Sequence, residues 1–147
     1  MNTDRLLQAL EKYANPTDAT FLQRFFKTGE GQYGAGDIFI GVRMPQVRQV
    51  AKQFDDLPLP EIEASLASPI HEVRMTALVI MANRAKKADE PEYKALYTLY
   101  LRRSDRINNW DLVDVTCRDV VGGYLYKHPE LAMKVLTKLA KSDWLWD

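Results

Sequence analysis

Asn108-Asn109-Trp110-Asp111-Leu112-Val113-Asp114 reads as the start of a helix, and Ser68-Pro69, about 40 residues earlier, reads as another. Asparagine is a strong N-cap. Asp111, three residues after Asn108, approximates a capping box with Asp in the usual Glu position. Each start opens two helical segments. A period near 40 residues suits antiparallel helix pairs that stack, because one pair cannot bury its apolar face alone. The repeat is imperfect, since the pair beginning at Pro45 is shorter. The pattern predicts an all-α chain of stacked helical hairpins.

The rest of the chain agrees with that reading. Leu6, Leu7, Leu10 and Tyr13 predict a first helix after Thr3, and Phe21, Leu22, Phe25 and Phe26 a second after Pro16. Gly29, Gly31, Gly34 and Gly36 make Thr28 to Asp37 a loop. Pro45 suits a first helical turn, with Val47, Val50, Ala51 and Phe54 following at helical spacing. Leu57-Pro-Leu-Pro60 ends that helix and starts a short one. Ser68-Pro69 opens a helix to about Arg84 with Ile70, Val73, Ala77 and Ile80 inward, and another begins near Pro91. The helix from Asn109 is expected to stop at Gly122-Gly123, a C-cap pair. After Pro129 comes a helix with Leu131, Ala132, Val135, Leu136 and Leu139 on one face. Ser142 to Asp147 carries the cap and acidic first turn of a further helix start.

Composition narrows the function class. A hydrophobic fraction of 46% and a charged fraction of 27% are those of a soluble globular protein. No apolar run approaches the roughly 20 residues a membrane helix needs, so no membrane partner is expected and the cytoplasm is the default compartment. Cys117 is the only cysteine, which excludes disulfide scaffolds and cysteine zinc sites. His71 and His128 lack ligand partners at useful spacing, so neither a metal nor another cofactor is expected. Gly29-Glu-Gly31-Gln-Tyr-Gly34 matches a dinucleotide fingerprint in letters only, because a Phe-rich helix rather than a strand precedes it. Net charge is zero, which argues against indiscriminate coating of nucleic acid while allowing a local basic face.

Two groups of residues could carry chemistry. Trp110 and Asp114 stand four residues apart and so share a helix face. An indole beside a carboxylate suits a cation or a developing positive charge. The plain alternative is a core tryptophan, with Asp114 paired to Arg118 one turn on. Arg43, Arg48 and Lys52 are the better of two phosphate-binding candidates, the other being Lys134, Lys138 and Lys141. In both cases the competing reading is a solvated face.

The same residues carry a resemblance. Asn-Asn-Trp110-Asp-Leu-Val-Asp114 resembles the Trp-Asp-x-x-Asp signature of the AlkD-type DNA alkylation repair family, the HEAT-like repeat DNA glycosylases. Tyr33-Gly-Ala-Gly-Asp37, Phe39-Ile-Gly-Val-Arg43-Met-Pro45 with Arg48 and Lys52, Ser68-Pro-Ile-His71-Glu72-Val-Arg74, and Gly122-Gly-Tyr-Leu-Tyr-Lys127-His128-Pro129-Glu130 match it in order. The resemblance implies a single α-solenoid domain over 1–147. It also implies hydrolysis of the N-glycosidic bond of cationic N3- or N7-alkylpurines in double-stranded DNA. Asp114 and Trp110 would be catalytic, and Tyr33, Arg43, Arg48 and Lys52 would lie toward the DNA. Met44 stands where some relatives have a small polar residue. In the family a Trp like Trp146 is followed by an active-site arginine, and later repeats add a second aromatic. The chain therefore corresponds to an N-terminal portion of the family fold, and an uncovered apolar end would favour self-association. A catalytically silent DNA-binding relative and a helical-repeat protein scaffold are the competing functions.

Overall fold

A computed structural model describes every residue from Met1 to Asp147. The chain is all-helical, apart from one isolated parallel bridge between Ile38 and Ile70. Nine α-helices follow in order: α1 Thr3–Glu11, α2 Pro16–Phe25, α3 Met44–Gln53, α4 Leu59–Leu66, α5 His71–Ala85, α6 Glu90–Arg102, α7 Trp110–Thr116, α8 Gly123–Lys127 and α9 Pro129–Ala140. None is long and apolar enough to cross a membrane. The chain divides into two compact units, Met1–Ile80 and Met81–Asp147.

In the first unit the helix starts are locally encoded. Asn2 Oδ1 accepts from Arg5 N, and Asn15 Oδ1 accepts from Thr17 N and Asp18 N. Prolines at the first turn of α2, α3 and α4 need no amide donor there. Helix α1 packs on α3 and α4, burying Leu6 and Leu10 with Val47, Val50, Ala51, Ile62 and Leu66. Thr3 ties α1 to α4 through its N–H and hydroxyl to the Glu61 carboxylate, at 2.9 and 3.0 Å.

Helix α5 departs from the expected one-faced pattern. Every residue from 71 to 82 is buried, including His71, Glu72, Arg74 and Thr76. Polar groups persist there because their side chains find partners, all but the buried Nε of Arg74 being hydrogen-bonded. His71 Nδ1 lies 2.9 Å from Asp37 Oδ2, Arg74 Nη2 donates to Asp37 Oδ1 at 2.7 Å, and Arg74 Nη1 donates to the Ser68 carbonyl. The His71 ring stacks on Phe39 at 4.3 Å and on Phe26 at 5.3 Å.

Glu72 holds the segment that leads into α3. Its carboxylate accepts from the N–H groups of Ile40, Gly41 and Val42, at 3.1, 2.8 and 3.2 Å. Gly41 adopts φ +83°, and an added Cβ would stand 2.0 Å from the Asn15 carbonyl oxygen. Gly41→Ala is expected to cost about 2–4 kcal/mol, from left-handed strain plus the clash. Chemical denaturation of the variant measures it.

In the second unit the helix from Trp110 does not stop at Gly122-Gly123. Both glycines have ordinary helical dihedrals, and the rod runs from α7 through a π-turn, Cys117–Gly122, into α8. Gly123 is needed for packing rather than for capping. Its Cβ would lie 2.2 Å from the Tyr93 hydroxyl oxygen, and that hydroxyl donates to the Asp119 carbonyl at 2.5 Å. Burial, followed by the charge of Asp119, pushes the Tyr93 hydroxyl pKa up. Tyr124 of α8 stacks on Tyr97 at 4.2 Å. Residues 142 to 147 form turns instead of the expected helix start, and Trp144 Nε1 donates to the Ser104 carbonyl at 3.1 Å. On α9 no residue is buried, and Met133 and Leu136 are largely exposed.

Candidate functional site

The start of α7 is built on Asn109. The side chain of Asn109 is fully buried and its backbone extended, with Oδ1 accepting from Trp110 N at 2.9 Å. Asn109, and not Asn108, is therefore the cap. An asparagine suits the position at either residue, and the buried one, Asn109, takes it. With Asn109 as the cap, Asp111 stands at the second helical position, and its Oδ1 accepts from Leu112 N at 2.9 Å.

This start fixes which way the helix faces. Leu112 and Thr116 are wholly buried, with the Thr116 hydroxyl donating to the Leu112 carbonyl at 2.7 Å. Near Thr116, burial pushes the Tyr100 hydroxyl pKa up to about 12. The opposite face carries Trp110, 40% exposed, and Asp114, also exposed. Asp114 makes no hydrogen bond or ion pair within the chain. In particular it does not pair with Arg118, whose Nε approaches Asp119 Oδ1 at 3.3 Å. The tryptophan is thus not sealed in the core, and the carboxylate is not consumed by a neighbour. A ring and an acid one helical turn apart can both reach a group lying on this face.

The first unit carries the other predicted residues. Tyr33 is 43% exposed in the loop between α2 and α3. Gln23 clamps the neck of that loop, with Nε2 donating to Thr28 Oγ1 and to the Asp37 carbonyl, and Oε1 accepting from Phe39 N at 2.7 Å. Arg48 and Lys52 lie on the exposed face of α3, behind buried Val47 and Val50, and make no ion pair. Two exposed cations one turn apart suit a phosphate.

Arg43 stands differently. Its Nε donates to Asp18 Oδ2 at 2.8 Å while Nη2 reaches Oδ1. That bidentate hydrogen bonding lowers the Asp18 pKa and raises that of Arg43. The pair is on the surface and adds little stability, but it occupies the guanidinium fork. Charge pattern alone does not reveal a partner 25 residues away in the sequence.

Sequence reasoning also missed Glu72 and the Asp37–His71–Arg74 cluster, which anchor the approach to α3. A glycine set among apolar residues at Phe39-Ile-Gly41-Val was the available signal for a close backbone approach.

Among curated proteins no match is found. The family model for the DNA alkylation repair enzyme matches residues 6–147, nearly the whole chain and both units. The chain belongs to the DNA alkylation repair enzyme family.

Proposed function

We propose that this chain, on a HEAT-like helical-repeat scaffold, binds alkylated duplex DNA and hydrolyses the N-glycosidic bond of cationic N3- and N7-alkylpurines. The observation that carries the reading is the exposed Trp110 beside an exposed Asp114 with no partner in the chain. A cationic purine departs without protonation, so no general acid is required. As the C1′–N bond breaks, its electron pair neutralises the purine and positive charge builds on the deoxyribose. Asp114 stabilises that charge and accepts a proton from the attacking water, whose oxygen forms the new bond to C1′. Trp110 lies against the sugar or adduct and favours its charge by about 0.5–2 kcal/mol.

Exposure of the pair supports a mechanism that holds the strand at the lesion rather than enclosing an extruded base, the more usual arrangement in glycosylases. Selectivity then comes from the lability of the adduct, and affinity from phosphate contacts by Arg48, Lys52 and Tyr33.

The test is binding to methylated and unmethylated duplex across a salt series. The reading predicts affinity for both that falls steeply with salt. Arg48→Ala is expected to weaken both complexes alike and to reduce the salt slope by ~1. A loss confined to methylated DNA would place Arg48 at the lesion instead, and salt-independent binding would count against phosphate recognition altogether.

A further inference from the structure

From position 110 to position 126 the exposed residues are Trp110, Asp114, Arg118, Gly122 and Tyr126, one in every four, and all the others are buried or half-buried. An ideal α-helix does not produce this. Each four-residue step advances about 40° around the axis, so Tyr126 would sit about 160° from Trp110, close to the opposite side. The π-turn at Cys117–Gly122 supplies the correction, because its wider turn advances the chain by less per residue. Interruptions of this kind are frequent at functional sites. Here the turn is held by Tyr93, whose hydroxyl donates to the Asp119 carbonyl.

The three added positions are not explained by folding. The Arg118 side chain is 84% exposed, and its only partner is the adjacent Asp119. Tyr126 is 88% exposed and makes no ring contact or hydrogen bond in the chain. Gly122 has ordinary helical dihedrals, and a Cβ there would meet nothing closer than the Cys117 carbonyl at 3.5 Å. A helix-interior glycine that neither the backbone nor the packing requires is costly, and a close approach by another backbone is one use that justifies it.

We propose that Trp110, Asp114, Arg118, Gly122 and Tyr126 form one continuous track for the sugar-phosphate backbone of a single strand of the duplex. The proposal rests on the DNA reading above. The track is roughly 20 Å long, enough to follow one strand past several of its phosphates. Arg118 takes a phosphate neighbouring the lesion, Gly122 lets the backbone pass close to the helix, and Tyr126 packs against the sugar at the far end.

Titration of a short labelled duplex with the parent chain, Arg48→Ala, Arg118→Ala, Tyr126→Ala and Gly122→Leu tests it. Arg118→Ala is expected to bind about tenfold more weakly and to reduce the salt slope by ~1. Tyr126→Ala and Gly122→Leu should also weaken binding, with melting temperatures at or above that of the parent for Gly122→Leu. Parent-like affinity in Arg118→Ala, with Arg48→Ala weakened, would overturn the track and leave the DNA reading standing. A parent chain that does not bind duplex would overturn both.

Discussion

Asp114→Asn is expected to lose about 10²- to 10⁴-fold in the rate of N7-methylguanine release while binding DNA nearly as the parent does. The substitution keeps the side-chain size and removes the charge. Because Asp114 has no partner within the chain, no native interaction is lost and folding stability should not change. On the proposed reading affinity comes from phosphate contacts elsewhere, so it too should hold. Single-turnover excision together with anisotropy separates the two effects. A variant with parental excision would remove Asp114 from the mechanism. A variant that loses binding and excision in parallel would make the carboxylate a docking group.

Glu72→Ala is the substitution expected to cost the most stability, about 3–5 kcal/mol. Glu72 is 3% exposed and accepts from three consecutive backbone N–H groups, those of Gly41 and Val42 themselves buried. Truncation leaves those donors without an acceptor and opens a cavity beneath the segment before α3. Glu72→Gln retains one acceptor oxygen but turns an amide donor toward other donors, so an intermediate loss is expected. Urea unfolding measures both. A midpoint unchanged in Glu72→Ala would mean that the segment from Ile40 to Val42 is held by other contacts. Since that segment leads into Arg43 and α3, the same variant should also weaken DNA binding through misplacement of Arg48 and Lys52.

The helices were legible wherever their signals are local. Pro16, Pro45, Pro91 and Pro129 each mark a start within a residue or two of the observed one. The failures are nonlocal. Gly122-Gly123 carries the letters of a helix stop, yet Tyr93, about thirty residues earlier, makes Gly123 a packing position and carries the rod on to Lys127. Ser142 to Asp147 has the letters of a start and forms turns instead. Buried charge is equally hidden, since nothing near Glu72 in sequence announces three backbone donors from residues 40 to 42.

The same division runs through the candidate site. The shared face of Trp110 and Asp114 follows from four-residue spacing, which holds over a single turn. Its extension to Tyr126 does not follow, because the π-turn changes the period midway along the rod. Arg48 and Lys52 were readable as an exposed pair from the apolar face behind them. Arg43 belongs with them by charge pattern, and only the fold brings Asp18, on a different helix, to its guanidinium.

If the exposed face of α7 acts on the damaged strand, the chain frees an alkylated base faster than the base leaves unaided. The most direct measurement is the time course of N7-methylguanine release from methylated duplex incubated with the purified chain, against duplex alone. Release above the spontaneous rate, proportional to protein concentration and suppressed by salt, is the expected result. Release at the spontaneous rate, by a chain that binds the same duplex, would contradict it.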